Sequence, residues 1–417
     1  MSDSLPTTIQ ITPGRIPKNS DEAKVFYNTL TQQLATLRGK NVLRSFYWTQ
    51  PVDEYEDTEE FQSKSVPPKE LWDALSKVDS LEELYLSFTE EEHETWYSLE
   101  TARMPKLARL KIDMYGAHGW SIGPLKAFVS NHAPSLAHLA ILFPSCCGPF
   151  EFDLTTTKFP LLQSFEMTCS SISPGERRPQ YLPEDFLHEH PRLEQLYLDI
   201  DDCPMEVLDE KHLPLLSRLC VNTSCSWSLD QDVFGSLFAA NDTGKRRKIS
   251  HFKLGGCSSS EQVMEILRLM DGQALRCLQL ACYGENFVRS ITPHVKEILE
   301  LFPYLRELGF LKEGSSSPAP PQLCEEDLRQ FLDQAQAKTA KLEALEFHFP
   351  ADEPLPPSSD FQIDLANYHL RCLKWDVNSK PIMHEADEHG QTLSRMVARR
   401  QSTKQDWASG TILDHRA

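Results

Sequence analysis

The histidines and carboxylates that could bind a metal ion do not form a recognisable ligand motif. The densest cluster runs from His384 to His389, where three carboxylates separate the two imidazoles. Both groups are ordinary ligands of divalent cations. The flanking residues lack the apolar framework that orients such ligands, so we interpret this segment as a solvated polar tail and predict no metal site. His188 and His190 are interpreted in the same way, as the end of a helix before Pro191.

Signatures of nucleotide-dependent, hydrolytic and redox enzymes are missing from the sequence. Before Gly244 and Lys245, Ala239 stands where a P-loop requires its first glycine, and Arg246 stands where it requires serine or threonine. The chain contains no GxSxG, HExxH, GxGxxG or kinase motif. We therefore predict that the protein is not an enzyme and uses no cofactor.

The eleven cysteines favour structural thiols over disulfides or zinc, because they include no CxxC pair. Five of them lie one to four residues beyond the strands predicted from a leucine motif described below: Cys169, Cys203, Cys225, Cys257 and Cys282. Cys257 occupies the position where leucine-rich repeats favour Asn or Cys. Buried structural thiols are the preferred interpretation, and redox or catalytic use is the alternative.

The charge balance disfavours two classes of partner. The chain has 61 acidic and 42 basic residues, a formal net charge of −19, which repels nucleic acid and anionic membranes. No apolar run approaches the ~20 residues of a membrane span, and Met1 to Arg15 does not resemble a signal peptide. We expect a cytoplasmic protein. The basic run Lys245 to Lys248 leaves two interpretations open, a nuclear import signal or a solvated loop.

The dominant pattern is the spacing L-x-x-L-x-L, with apolar replacements, which recurs twelve times at a mean interval of about 30 residues. The motifs begin at Leu43, Leu81, Leu107, Leu136, Leu162, Leu193, Leu216, Ile249, Leu275, Leu305, Leu342 and Leu370. Positions four and six of each motif point to one face of a short strand, and positions three, five and seven point to the other.

Between the motifs lie segments with helical spacing. They are Pro68 to Val78, Pro124 to His132, Glu261 to Met270, Val295 to Phe302 and Glu325 to Ala337. Alternating strands and helices predict an α/β fold, an irregular leucine-rich-repeat solenoid or horseshoe. Its parallel strands would line the concave face, and its helices would cover the convex face.

We divide the chain into three parts on this pattern. Residues 1–40 form an N-terminal segment with a capping helix over Asp21 to Leu37, whose apolar face would contain Val25, Phe26, Leu30, Leu34 and Leu37. Residues 41–380 form the solenoid. Residues 381–417 form a C-terminal cap or disordered tail.

The segments LRSFYW from Leu43, PPKELWDAL from Pro67 and LEELYL from Leu81, followed by P-x-L-x-x-L-x-L units, resemble fungal F-box/leucine-rich-repeat proteins over roughly residues 40 to 380. The resemblance implies the substrate-receptor part of a ubiquitin ligase. An F-box would bind the Skp adaptor, but none is visible before Leu43. The adaptor is therefore expected as a partner only if the full gene product contains an F-box.

The concave face is the predicted binding surface for a protein partner. Tyrosine and arginine are the residue types that anchor protein interfaces. The preferred contacts are Tyr47, Tyr85, Arg109, Lys111 and Tyr197, although selection for strand propensity explains any one of them equally well. The predicted function is a non-catalytic protein-recognition scaffold. The alternative is a free-standing leucine-rich-repeat regulator of another protein, of the inhibitor or GTPase-activating type.

Overall fold

A computed structural model gives the architecture of the chain. It describes residues 6–11, 20–48, 68–88, 99–114, 123–146, 154, 157–171, 186–200, 213–222, 231–238, 246–257, 259–282, 290–312, 330–333, 342–348, 370–377, 380–386 and 392–396.

Each predicted repeat motif forms a strand, and each of these strands begins two residues after the first residue of its motif. The strands are β2 (Ser45–Trp48), β3 (Glu83–Phe88), β4 (Arg109–Met114), β5 (His138–Cys146), β6 (Ser164–Ser171), β7 (Gln195–Ile200), β8 (Arg218–Asn222), β9 (His251–Cys257), β10 (Cys277–Cys282), β11 (Glu307–Lys312), β12 (Ala344–His348) and β13 (Cys372–Val377). The leucine spacing therefore predicted the positions of all twelve strands along the chain, although not their lengths.

The chain divides into two compact units, and the division falls within β7. In the first unit, β2 to β6 pair in parallel in sequence order. In the second unit, β8 to β13 do the same. The α/β class with parallel strands is thus confirmed.

The pairing register brings equivalent motif positions of successive repeats side by side. Position three runs through Ser45, Glu83, Arg109, His138 and Ser164 in the first unit. At the start of β2 to β6 and of β9 to β13, one carbonyl of the preceding strand start accepts two hydrogen bonds. For example, Arg44 O accepts the N–H groups of Glu82 and Glu83 at 2.8 and 3.0 Å. This repeated geometry holds these strands in the same register as their neighbours.

The core is built from positions one, four and six of the motif. The first residue of each of the twelve motifs is at most 4 % exposed, and position four is at most 2 % exposed. Large side chains such as Phe46, Trp48 and Phe165 are fully buried. Because side chains alternate along a strand, burying this set directs positions three and five to the other face.

Helices lie between the strands close to the predicted segments. They are α1 (Ser20–Leu37), α2 (Lys69–Leu75), α3 (Gly123–His132), α4 (Phe186–Glu189), α5 (Gln231–Phe238), α6 (Ser260–Leu269) and α7 (Val295–Leu301), which follows a 3-10 turn (Thr292–His294). Of the predicted helix Glu325 to Ala337, residues 330–333 are described and helical. The amphipathic pattern therefore located α1, α2, α3, α6 and α7 within a few residues, whereas it had not indicated α5.

The buried face of α1 differs from the predicted one. Val25 is 65 % exposed, whereas Ala23 and Tyr27 are buried together with Leu30, Leu34 and Leu37. The Tyr27 ring stacks on Trp48 at 6.1 Å, and Trp48 contacts Trp72 of α2 edge-on at 5.5 Å. The aromatic contact with the first repeat rotates the helix, so Tyr27 replaces Val25 in the core.

Strands that the sequence did not predict lie outside the twelve motifs. In the first unit, β1 (Thr8–Ile11) pairs in parallel with β2. In the second, β14 (Lys380–Ala386) and β15 (Thr392–Met396) extend β13 by antiparallel pairing. Thr7 O accepts the N–H groups of Arg44 and Ser45, as in the repeats, so β1 is a degenerate repeat start. Both C-terminal strands lie almost entirely in the segment 381–417, for which the sequence predicted a C-terminal cap or a disordered tail.

Candidate functional site

The outward face of the first unit carries four of the five predicted contact residues on three adjacent strands. Tyr47, Tyr85 and Lys111 are direct neighbours across β2, β3 and β4 in the pairing register. They are partly exposed, and Arg109, two residues before Lys111, is exposed. We call the surface formed by these four residues with Ser45, Glu83, Asp113 and His138 the β2–β5 face.

A carboxylate holds the first tyrosine of this face. The Tyr47 hydroxyl donates a hydrogen bond to Glu83 Oε2 at 2.6 Å, and Ser45 Oγ donates to the same oxygen at 3.2 Å. Partial burial and the neighbouring Glu83 carboxylate raise the pKa of Tyr47 above its usual value. The phenol therefore stays protonated at neutral pH and acts as a hydrogen-bond donor with a fixed orientation.

Tyr85, the second tyrosine of this face, is contacted by an acidic and a basic side chain. Its hydroxyl lies 3.4 Å from Oδ2 of the buried Asp113, and the Lys111 ammonium lies 4.7 Å from the centre of the Tyr85 ring. An ammonium over an aromatic face is attracted by the ring quadrupole. Both contacts reduce the rotamer freedom that a binding partner would otherwise have to restrict.

Arg109 and His138 extend the face onto β5, where they pair in register. Burial lowers the pKa of His138, and the positive charge of Arg109 lowers it further, against the opposing effect of Glu83. At neutral pH the imidazole is therefore uncharged. The face carries two cations, Arg109 and Lys111, and two carboxylates, so it is mixed in charge although the chain is strongly acidic.

Sequence reasoning placed Glu83 and Asp113 on the concave face but did not predict that each would contact a tyrosine. Each is a diagonal neighbour of the tyrosine that it contacts, since Glu83 occupies position three beside Tyr47 at position five, and Asp113 occupies position seven beside Tyr85. Diagonal neighbours on adjacent strands lie within reach of aromatic side chains. The equal register of the motifs would have been the signal for both pairs.

Tyr197, the fifth predicted contact, is placed differently. It is 2 % exposed, and the Lys253 ammonium lies 5.9 Å from its ring centre in the second unit. The other described position-five side chains of the second unit are buried as well: Cys220 at 0 %, Lys253 at 6 %, Gln279 at 8 % and Glu346 at 7 % exposure. Among the described side chains, the exposed surface expected at position five is therefore present on β2 to β5, whereas Glu166 on β6 and the position-five residues of the second unit are buried.

The basic run has a structural role that neither sequence interpretation included. Arg247 donates from Nε to Leu237 O at 3.0 Å and from Nη1 to Leu213 O at 2.7 Å. Arg246 Nη1 donates to Met270 O at 2.9 Å, just beyond the end of α6. Guanidinium groups at helix C-termini satisfy the terminal carbonyls and favour the helix dipole. Lys245 lies outside the described residues.

Cysteines and metal ligands offer no alternative site in the described part of the chain. Cys220, Cys277 and Cys372 are free and buried. Among the described residues no group of three or more His, Cys, Asp or Glu side chains could hold a metal ion. Cys203 and Cys225 lie outside the described residues, as do the side chains of Cys169, Cys257 and Cys282 and of the segment from His384 to His389.

Comparisons with known proteins leave the family undecided. No protein-family model matches the chain, and no curated protein sequence is similar to it. Within the described helices, none combines the length and apolar character that crossing a membrane requires.

Proposed function

We propose that this chain is a non-catalytic protein-recognition scaffold of the leucine-rich-repeat type, and that the β2–β5 face binds the partner. One observation carries the proposal. Tyr47 and Tyr85 are partly exposed on neighbouring strands, and each hydroxyl is oriented by a carboxylate. Tyrosines with few accessible rotamers supply large contact area at low entropic cost, which is what the centre of a protein interface needs.

The leucine-rich-repeat type is supported by the match between motif and strand. All twelve motifs start a strand at the same offset, and their leucines form the core. Repeats stacked in this way bury a continuous core and leave the alternate strand positions free to vary with the partner.

A matched cross-linking experiment tests the binding surface. Replacement of Tyr85 by the photoreactive residue p-benzoylphenylalanine places the cross-linker on the face, and the same replacement of exposed Lys69 on α2 is the control. In cells of the source organism we expect covalent protein adducts from position 85 that position 69 does not give. Adding Lys111→Glu should suppress the adducts, since it replaces a cation of the face by an anion. Identical adducts from both positions would remove the proposal.

We further propose, from the resemblance to fungal F-box/leucine-rich-repeat proteins, that the scaffold is the substrate-receptor part of a ubiquitin ligase. Co-purification with the Skp adaptor is the test, carried out with this chain and with the longest product of the same gene. Retention of the adaptor by the longer product is the expected result. If neither retains it, the ligase role is wrong, while the cross-linking result still decides whether the β2–β5 face binds protein.

A further inference from the structure

A row of charged side chains runs along the strand starts of the second unit, away from the position-five row. It comprises Arg276, Arg306, Glu343 and Arg371, each one residue before the first residue of its strand, and we call it the arginine row. The backbone keeps its members adjacent. The N–H of Arg306 donates to Arg276 O at 2.8 Å, that of Glu343 to Arg306 O at 2.7 Å, and that of Arg371 to Glu343 O at 2.8 Å.

Two of the three guanidinium groups of the row, those of Arg306 and Arg371, are already arranged around a carboxylate. Glu343 Oε1 accepts from Arg306 Nε and Nη2, both at 2.7 Å, and Oε2 accepts from Arg371 Nη1 at 3.0 Å. The Arg306 and Arg371 side chains remain 49 % and 56 % exposed. The spacing of the row therefore suits carboxylate recognition by paired guanidinium groups.

An aromatic side chain completes the surface. The Arg276 guanidinium lies 4.9 Å from the ring centre of Tyr304, which is 38 % exposed. Arg276 Nη1 also donates to Gln273 O at 2.8 Å and to Leu275 O at 3.0 Å. The ring contact and the two hydrogen bonds fix the orientation of the Arg276 side chain at the surface. Arginine and tyrosine are both enriched at protein interfaces.

The arginine row is positively charged, in contrast to the whole chain and to the equivalent positions of the first unit. Three arginines and one glutamate give the row a formal charge of +2 on a chain whose net charge is −19. The equivalent positions of the first unit contain one cation, Arg44, and two anions, Glu82 and Glu194. A cationic surface that persists on an acidic protein attracts an acidic ligand locally while the whole molecule repels long polyanions.

We propose that the arginine row binds an acidic segment of a partner protein, at a surface separate from the β2–β5 face. Carboxylates of the segment take the place beside Arg306 and Arg371 that Glu343 now shares, and Tyr304 supplies the apolar contact. Nucleic acid is disfavoured as the ligand, since the net charge of −19 repels a long polyanion.

Fluorescence anisotropy of a labelled ten-residue polyglutamate peptide with the full chain, at low salt, tests this proposal. The triple variant Arg276→Gln/Arg306→Gln/Arg371→Gln should weaken binding by about tenfold, because three charge contacts are lost. The matched control is Lys24→Gln/Lys69→Gln/Lys106→Gln, which removes the same charge from exposed positions of the first unit. It should change the affinity by less than about twofold.

A variant that binds more tightly distinguishes a change in the binding surface from misfolding, because misfolding can only weaken binding. Glu343→Gln raises the charge of the row from +2 to +3 and removes the carboxylate that Arg306 and Arg371 share, so it should tighten peptide binding by about threefold. Unaltered or weaker binding by this variant would overturn the proposal, as would equal losses in the two triple variants. Equally tight binding of a ten-nucleotide thymidine oligomer would assign the row to nucleic acid instead. Self-association of the chain that the arginine variant abolishes, measured by sedimentation velocity, would assign it to a second copy.

Discussion

His132 Nε2 accepts a hydrogen bond at 3.0 Å from the backbone N–H of Met104 in the preceding repeat. Its Nδ1 lies 2.8 Å from Phe128 O, one turn back in α3. His190 has the same arrangement, with Nε2 3.3 Å from the N–H of Phe159 and Nδ1 2.5 Å from Phe186 O. A neutral imidazole protonated at Nδ1 satisfies both contacts, and each histidine thus ties the end of one helix to the previous repeat.

These two histidines should make the first unit acid-sensitive. Burial lowers the pKa of both imidazoles below the usual value of about 6.5. The unfolded chain therefore takes up protons at a pH where the folded protein does not. Their contribution to the free energy of unfolding is complete above about pH 6.5 and is lost as the pH falls towards the folded pKa values, by up to about 1.4 kcal/mol per pH unit for each histidine.

Urea unfolding of the wild type and of His132→Gln/His190→Gln at pH 7.5 and 5.5 measures this contribution. At pH 7.5 the double variant should be less stable by about 2 to 4 kcal/mol, because it weakens buried hydrogen bonds on both sides of two rings. At pH 5.5 the difference between the two proteins should shrink, since only the wild type loses histidine-dependent stability. Because both proteins contain the same carboxylates, the effect of carboxylate titration cancels in the difference between their free energies of unfolding. A difference that is independent of pH would contradict the prediction.

Gly272 follows α6 at a point where no side chain fits. A Cβ atom there would lie 2.1 Å from Leu301 O at the end of α7, and the contact is with backbone. Gly272→Ala should therefore force the two repeats apart and lower the free energy of unfolding by about 3 kcal/mol. Gly235 within α5 has nothing within 4 Å of its would-be Cβ. Gly235→Ala, the matched control, should raise stability by up to about 1 kcal/mol, because alanine is the better helix former. Equal effects of the two substitutions would contradict this packing.

The parts of the fold that followed from the sequence are those fixed by local periodicity. Leu193, Leu196 and Leu198 are all buried, as the motif required, and β7 begins where the motif placed it. The spacing also found helices such as α6, whose Val263, Ile266 and Leu267 are buried. In both cases the apolar residues that set the periodicity are also the ones that pack into the core, so the local pattern is sufficient to predict the element.

What the sequence did not predict depends on contacts between elements. Val25 and Tyr27 are both apolar enough to lie in the core. Tyr27 is the buried one because its ring stacks on Trp48, a contact that the local pattern of α1 does not contain. Pro6 occupies the first motif position before β1, so this strand lacked the leucine that marks the others. The candidate site shows the same limit. Alternation predicted that Tyr197 points away from the core leucines, but its 2 % exposure depends on packing that a single motif does not encode.

Arg247 should matter for stability more than its place in a basic run suggests. Its guanidinium donates to two carbonyls, Leu237 O and Leu213 O, that lie in different segments of the second unit. Arg247→Ala should cost about 2 kcal/mol by thermal or urea unfolding, since both carbonyls lose a charged donor. Lys248→Ala removes the neighbouring charge from an exposed side chain and should stay within about 0.5 kcal/mol of the wild type. Losses of similar size from both would show that Arg247 contributes only its charge.

The packing of α1 on the first repeat is tested by two substitutions on the same helix. Tyr27→Ala removes a buried ring that stacks on Trp48, and it should lower the free energy of unfolding by about 3 kcal/mol and alter tryptophan fluorescence. Val25→Ala truncates a side chain that is 65 % exposed, so it should change stability by less than about 0.5 kcal/mol. If Val25→Ala were the more damaging change, the helix would bury the face that the sequence pattern first indicated. A loss confined to Tyr27→Ala places α1 on the Trp48 and Trp72 rings, where it covers the apolar end of the first repeats.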